Sequence, residues 1–179
     1  MTVRKLNEQS FCGWCGSKVI YVQDWMSECT NCGYKRYINH NPCCNIIVNS
    51  GDAVLMVRRS IEPKLGKLDF PGGFMDMTDS SIEEASYREL LEELLINKDE
   101  ISELIYLGSS TEPYLWQATE LNSACFFFTC NLLIDKKDIN LDLKENSELC
   151  WVTKEDFSDI DFAWNIDKEM LTKYFKEKI

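Results

Sequence analysis

Three glutamates within one short stretch are the side chains best placed by type and spacing to do chemistry. Residues 71–96, PGGFMDMTDSSIEEASYRELLEELLI, hold seven acidic residues and a single base, Arg88. At about 100° per residue of helix, Glu89, Glu92 and Glu93 share one side, whereas Tyr87, Leu90, Leu91, Leu94 and Leu95 occupy the other and are expected to face a core. A solvated helix face usually sets Lys or Arg four residues from Glu, but here like charges stand at i, i+3 and i+4. Each such pair costs about 0.2–0.5 kcal/mol when exposed, and more in a low-dielectric cleft. A divalent cation removes that cost, and carboxylates are the ligands that Mg²⁺ and Mn²⁺ prefer. The plainer alternative is an amphipathic helix with an acidic solvated side. Ahead of it, Pro71-Gly72-Gly73 is a turn without Cβ atoms at Gly72 and Gly73, so backbone can approach a ligand or helix closely.

A second group of candidate ligands stands near the start. Cys12 and Cys15, then Cys29 and Cys32, form two C-x-x-C knuckles, each followed by glycine. Two thiolates at a tight turn reach one ion, and a second knuckle completes a tetrahedral site of the kind Zn²⁺ prefers. Strand-like runs, KVIYVQDW and YKRYI, follow the knuckles and complete the layout of a zinc ribbon. So short a segment gains its folding energy from the metal, on the order of 10 kcal/mol. A redox pair or two disulfides is the rival reading. Four cysteines fill the coordination shell, so the zinc is expected to be structural. Cys43, Cys44, Cys125, Cys130 and Cys150 lie in apolar runs and read as buried, inert thiols. His40 is the single histidine and sits in a linker, NHNP, which leaves little for a histidine-based nucleophilic mechanism.

Composition narrows the classes. The 179 residues carry a net charge of −11, divided unevenly: about +2 over residues 1–42 and −13 over the rest. An acidic body argues against nucleic-acid binding, which needs clustered Lys and Arg. It suits a small anionic substrate only where cations mediate the encounter. No apolar run reaches the roughly 20 residues that span a bilayer, and MTVRKLNEQSF lacks the apolar core of a secretory signal. The expectation is a soluble cytoplasmic protein with thiols rather than disulfides.

The elements that must position these residues follow from pattern. Strands are predicted over 43–50 and 53–60, joined by a turn at Asn49-Ser50-Gly51-Asp52, and LDFPGGF reads as a strand entering a glycine turn. The acidic helix starts after Ser80 or Ser81 as N-cap, with Glu83 and Glu84 in its first turn. SELIYLGS and ACFFFTCNLLI read as strands joined by a long loop, STEPYLWQATELNS; ELCWVT is a further strand and residues 167–178 a closing helix. The domain plan is a zinc ribbon over 1–42 and a strand-rich α/β (α+β) domain with two helices over 43–179.

The acidic stretch resembles the Nudix box, G-x5-E-x7-R-E-U-x-E-E-x-G-U, with U a bulky apolar residue: Gly73 takes the first glycine, Arg88-Glu89-Leu90-Leu91-Glu92-Glu93-Leu94 the central run, and Ile96 the last position. The resemblance implies an α/β/α sandwich and Mg²⁺- or Mn²⁺-dependent hydrolysis of a nucleoside diphosphate linked to another moiety. It also implies that Glu89, Glu92 and Glu93 are metal ligands, one of them a possible base, and that Arg88 holds a glutamate in place. Two positions depart from the pattern. The turn carries one extra residue, so the early acid is Asp79 or absent, and Leu95 replaces the later glycine, with Asn97 expected to end the helix in the left-handed conformation. A ribbon ahead of such a domain is similar to the NADH pyrophosphatase group. Tyr37-Ile38-Asn39-His40-Asn41-Pro42 and Thr111-Glu112-Pro113-Tyr114-Leu115-Trp116-Gln117-Ala118-Thr119 match that group's further motifs only in part.

The implied substrates are NAD(H), ADP-ribose or a related dinucleotide. Gly72 and Gly73 are expected at the substrate, and Tyr114 and Trp116 would stack on a base or nicotinamide ring, unless they only pack a loop. The base could be Glu89 or a later acid, Glu112, Glu120 or Glu148. Arg58 and Arg59 could meet phosphate or remain surface charge. A non-catalytic nucleotide-binding or regulatory module, using the ribbon for partner contacts, is the alternative from another class; a homodimer is open.

Overall fold

Alternation along two central strands decides the architecture. In the computed structural model, which describes residues 4–5 and 8–177, β5 (Asn41–Ser50) and β6 (Ala53–Arg59) form a hairpin closed by Asn49↔Val54 and Ser50↔Ala53. Cys43, Ile47, Val54 and Met56 point into one buried cluster, and Cys44, Ile46, Val48, Leu55 and Val57 into another. A strand buried on both faces needs a layer on each. Helix α1 (Ile82–Leu94) supplies one through Ala85, Leu90 and Leu94; α2 (Asn165–Glu177) supplies the other through Ile166, Leu171, Tyr174 and Phe175. The result is the expected α/β/α sandwich. Each fully buried Val, Leu or Ile contributes about 1.5–3 kcal/mol.

Along the chain the remaining strands are β1 (Arg4–Lys5), β2 (Val19–Gln23), β3 (Met26–Cys29), β4 (Lys35–Tyr37), β7 (Leu68–Asp69), β8 (Gly72–Phe74), β9 (Ile105–Trp116), β10 (Thr119–Asn131) and β11 (Asn146–Val152). The main sheet runs β10-β5-β6-β11, with β9 on β10, β8 on β5 and β7 on β6. Where a long loop was expected between two strands, β9 and β10 continue to a two-residue turn at Gln117 and Ala118, both at positive φ (47° and 59°). Such a turn matches strand twist. Among the described residues no helix is long and apolar enough to cross a membrane.

Two compact units result, Met1–Asn41 with Pro113–Ser123, and Pro42–Glu112 with Ala124–Ile179. The first holds the antiparallel sheet β2-β3-β4, in which β2 and β3 form the segment that joins the knuckles, and β3 pairs Cys29 with Val19 and Met26 with Tyr37. The second holds the sandwich.

Candidate functional site

Helix α1 is built to begin and end abruptly. Ser81, in extended conformation, accepts a hydrogen bond from Glu84 N at 3.2 Å, and Glu83 and Glu84 lie in the first turn, where the helix dipole favours negative charge. At the other end the left-handed residue is Leu95 itself (φ 52°), not Asn97, which is at φ −83° and opens a short 3₁₀ turn. Leu90 and Leu94 are buried as expected; Leu91 and Leu95 are 46% and 54% exposed, because the buried stripe is narrower than the apolar one and Ala85 and Ser86 share it.

Arg88 gathers the acids around it. Its Nε and one terminal nitrogen donate to the Asp79 carboxylate at 3.1 and 3.0 Å, the same nitrogen donates to Phe74 O at 3.0 Å, and the other reaches Glu89 and Glu92 at 2.9 Å each. Asp79, in the turn ahead of the helix, is thereby drawn into the cluster. The extra residue is taken up in a turn in which Asp79 N donates to Asp76 O at 3.1 Å and Asp79 Oδ2 accepts from Asp76 N at 2.8 Å. The Arg88 side chain holds the Asp79 carboxyl below its usual range.

The glycines leave room for this cluster. A Cβ on Gly73 would lie 2.5 Å from Glu89 Oε1, and one on Gly72 (φ 147°) would lie 2.1 Å from Cys44 O on the neighbouring strand. Only glycine lets β8 lie this close to β5 and to α1. The Gly72 N–H in turn donates to Glu93 Oε2 at 3.0 Å, and Asn146 Nδ2 donates to Glu93 Oε1 at 3.1 Å. Burial raises the Glu93 carboxyl to about 8, assisted by the nearby Glu89 and Asp69 charges and opposed by these two donors. Burial also raises Glu89, against the pull of Arg88. Glu92 is the outward member, its side chain 59% exposed.

The three glutamates do not converge on a point. Among the described residues, the one set of three or more ligand atoms lying within 4.8 Å of one another is Cys12, Cys15, Cys29 and Cys32. Two of the glutamates lean on Arg88 and the third on neutral donors. Glu89 and Glu93 still suit a hard divalent cation chemically, and the exposed Glu92 has the freedom to join them.

The four sulfurs suit a tetrahedral Zn²⁺ ion more closely. Distances of 3.8 Å (Cys12–Cys32), 3.5 Å (Cys15–Cys29) and 3.6 Å (Cys15–Cys32) compare with about 3.8 Å between sulfurs of a tetrahedral site at about 2.3 Å per bond. The thiols are all free, and each knuckle closes on a glycine at φ 71°, Gly16 and Gly33. Backbone and side-chain hydrogen bonds at Ser17 lower the Cys15 thiol to about 6, whereas the Cys32 thiol, despite the Tyr34 backbone hydrogen bond, is raised to about 12 by its Cys29 and Cys15 neighbours, so the four sulfurs share their charge unevenly in the absence of an ion.

Most of the remaining candidates are already engaged with other partners. Tyr114 and Trp116 stack on each other, centroids 6.5 Å apart, and with Glu120 belong to the first unit. Glu148 is paired with Arg58 at 2.7 Å, which lowers its pKa; Arg59 is paired with the buried Asp69 at 3.0 Å. Glu112 has a raised pKa through burial and the Glu169 charge. Asn146, missed from sequence, belongs with the site: it is 2% exposed, at a register irregularity of β11 that lies 53 residues beyond Glu93.

A family model described as NUDIX domain matches residues 40–174. Comparison with curated proteins gave no match. Among solved structures, a NUDIX hydrolase from Nitrosomonas europaea is similar at TM-score 0.70 and 22% identity, over 94% of this chain and 92% of that one. A C. elegans Ap4A hydrolase gives TM-score 0.61 at 18% identity, covering 76% and 96%. A bifunctional NMN adenylyltransferase/ADP ribose pyrophosphatase from Francisella tularensis, complexed with AMP and a Mn ion, gives 0.58 at 18%, covering 79% of this chain and 42% of its own.

Proposed function

Because the chain belongs to the Nudix family, we propose that it is a Mg²⁺- or Mn²⁺-dependent hydrolase of a nucleoside diphosphate linked to another moiety. NADH or NAD⁺, ADP-ribose and related dinucleotides are the substrate class, cleaved to a nucleoside monophosphate and a phosphorylated remainder. The observation that carries this reading is the site on α1: Glu89 and Glu93 at a glycine cradle, with Arg88 fixing Glu89, Glu92 and Asp79. Similarity to structures described as an Ap4A hydrolase and an ADP ribose pyrophosphatase supports the substrate class.

A bound divalent cation would mask phosphate charge and lower the pKa of a water ligand. Glu89, Glu92 and Glu93 would hold it. Arg88 orients Glu89 and keeps Asp79 and Glu92 from adding unbalanced charge. Gly72 and Gly73 let β8 lie against β5 and against the Glu89 carboxylate, which sets the substrate-facing backbone close to the cluster. A base must receive a proton from water, and a glutamate of this cluster that keeps one oxygen free of the cation is suited to that role. The four cysteines of the first unit are proposed to hold a structural Zn²⁺, giving a ribbon of the kind found in the NADH pyrophosphatase group. Retention of both Glu92 and Glu93 favours catalysis over a purely nucleotide-binding module.

Product analysis tests this directly. The protein with Mn²⁺ or Mg²⁺ is given NADH, ADP-ribose and diadenosine tetraphosphate in turn, beside Glu93→Gln. We expect monophosphate from at least one, with a fall of about 10²-fold or more in the variant. No monophosphate from any of the three, or a variant as active as wild type, would overturn the reading.

A further inference from the structure

We propose that Asn146 is a positioning residue for Glu93: its side-chain amide and the Gly72 N–H form a two-point clamp that fixes the carboxylate without cancelling its charge. The proposal rests on the reading of Glu93 as a working carboxylate given above.

The contrast with its neighbours carries the argument. Glu89 and Glu92 are held by the Arg88 guanidinium, a full positive charge. Both Glu93 oxygens instead meet neutral N–H groups, Gly72 N at 3.0 Å and Asn146 Nδ2 at 3.1 Å. A carboxylate oxygen has two acceptor sites, so one donor on each oxygen leaves the other site free for a ligand. A primary amide does not titrate, and so it donates at every pH at which the protein is folded. A Lys or Arg at this position would neutralise Glu93 and compete with a cation; an Asp would repel it.

The fold supplies the means of aiming the side chain. Asn146 pairs with Arg59 at the start of β11, and the register shifts before Glu148, which pairs with Arg58. A bulge of this kind redirects a side chain out of the strand's alternation. Asn146 is 2% exposed, whereas Glu148 points to solvent and takes Arg58 as partner. Gly72 contributes its N–H because its own lack of a Cβ lets β8 lie against Cys44. Two unrelated segments, one on each side of α1 in sequence, thus converge on one carboxylate.

The test compares wild type, Asn146→Ala, Glu93→Gln and the double variant. Mn²⁺ affinity is read by the EPR signal of the free ion, and kcat and KM with whichever of the three nucleotides is turned over fastest. Loss of a residue that orients a metal-binding carboxylate typically costs about 10–100-fold in affinity or turnover. We expect that loss in Asn146→Ala, in Mn²⁺ affinity and kcat with KM nearly unchanged, and no further loss when it is added to Glu93→Gln. A merely structural role would lower the melting temperature and leave Mn²⁺ affinity intact. Asn146→Asp, which keeps the volume, guards against an alanine variant that does not fold, and should lose at least as much turnover. Wild-type Mn²⁺ affinity and kcat in the Asn146 variants, or losses that add fully to those of Glu93→Gln, would overturn the clamp alone. A Glu93→Gln protein that binds and turns over like wild type would overturn the clamp together with the reading beneath it.

Discussion

Two kinds of acid surround Arg88 and the glycine turn, one just ahead of α1 and one on it, and the difference between them is measurable. Arg88 keeps Asp79 low, so that carboxylate is charged across the working range. Glu93 is raised to about 8, chiefly by burial. The sign of the linkage follows. Between an unfolded value near 4.5 and a folded value near 8, the native state binds more protons than the unfolded chain, so stability is present at low pH and lost as pH rises through the window. Without added Mg²⁺ or Mn²⁺, Glu93→Gln should therefore be the more stable protein at pH 8.5, by about 3–5 kcal/mol, or on the order of 10 °C in melting temperature. The gain should vanish toward pH 5. A difference that does not change with pH would show that the carboxyl is not proton-bound in the native state. The acids were visible in the sequence through like charges at helical spacing, and Arg88 as their partner through the resemblance, whereas the donors to Glu93 were not. Asn146 is far from Glu93 along the chain, and a bulge decides where its side chain points. Asp79 was ambiguous because spacing alone does not say how a turn absorbs an added residue.

At the level of elements, the helix end offers a clean case of tertiary packing overriding local preference. A left-handed conformation costs an L-residue about 1–2 kcal/mol, and a leucine adopts it here at φ 52°. Leu95 N donates to Leu91 O at 3.1 Å and Ile96 N to Leu90 O at 3.2 Å, and the reversal delivers Ile96, 1% exposed, into the core beside Leu90 and Leu94. Moving the cap to Asn97 would lift Ile96 out of that core, which is why the polar residue better suited to the conformation is not used. Leu95 is 54% exposed, so its side chain contributes little burial. Leu95→Gly should raise stability by about 1 kcal/mol and the melting temperature by about 2–4 °C. An unchanged or lower melting temperature would mean that the leucine side chain contributes packing that its exposure does not suggest. The same override explains the hairpin: Gln117-Ala118 lacks the Asn-Gly or Asp-Gly signal of a two-residue turn, so strand content beyond Ser109 and before Ala124 could not be read from local sequence. Strands 43–50 and 53–60 were legible because a short, nearly continuous run of apolar and β-branched residues suits a strand buried on both faces.

Across the whole molecule, the nine cysteines divide by environment, and that division is open to a direct count. Cys43, Cys44, Cys125 and Cys130 are buried in the sandwich. Burial raises the Cys44 and Cys130 thiols, the latter to about 12. The Cys43 thiol is raised chiefly by its contact with Cys125, 3.2 Å away, and further by burial. Cys150 is partly exposed and likewise raised by burial. Such thiols react slowly with a chromogenic disulfide reagent, since the thiolate is the nucleophile and must be reachable. The knuckle cysteines are a different population: a Zn²⁺ ion bound by all four would block them, and the three short strands around them bury too little apolar surface to hold their fold alone. Purified protein should therefore contain one zinc per chain and show no rapidly reacting thiols. On addition of a strong chelator, four thiols should become rapidly reactive, Cys150 should follow slowly, and the last four should appear only on denaturation. In step with the first four, hydrogen exchange should accelerate in β2, β3 and β4 while β5 and β6 stay protected. Four fast thiols without chelator, or a chelated protein whose first unit keeps its protection, would mean that the tetrad folds without metal and that the ribbon's stability has another source.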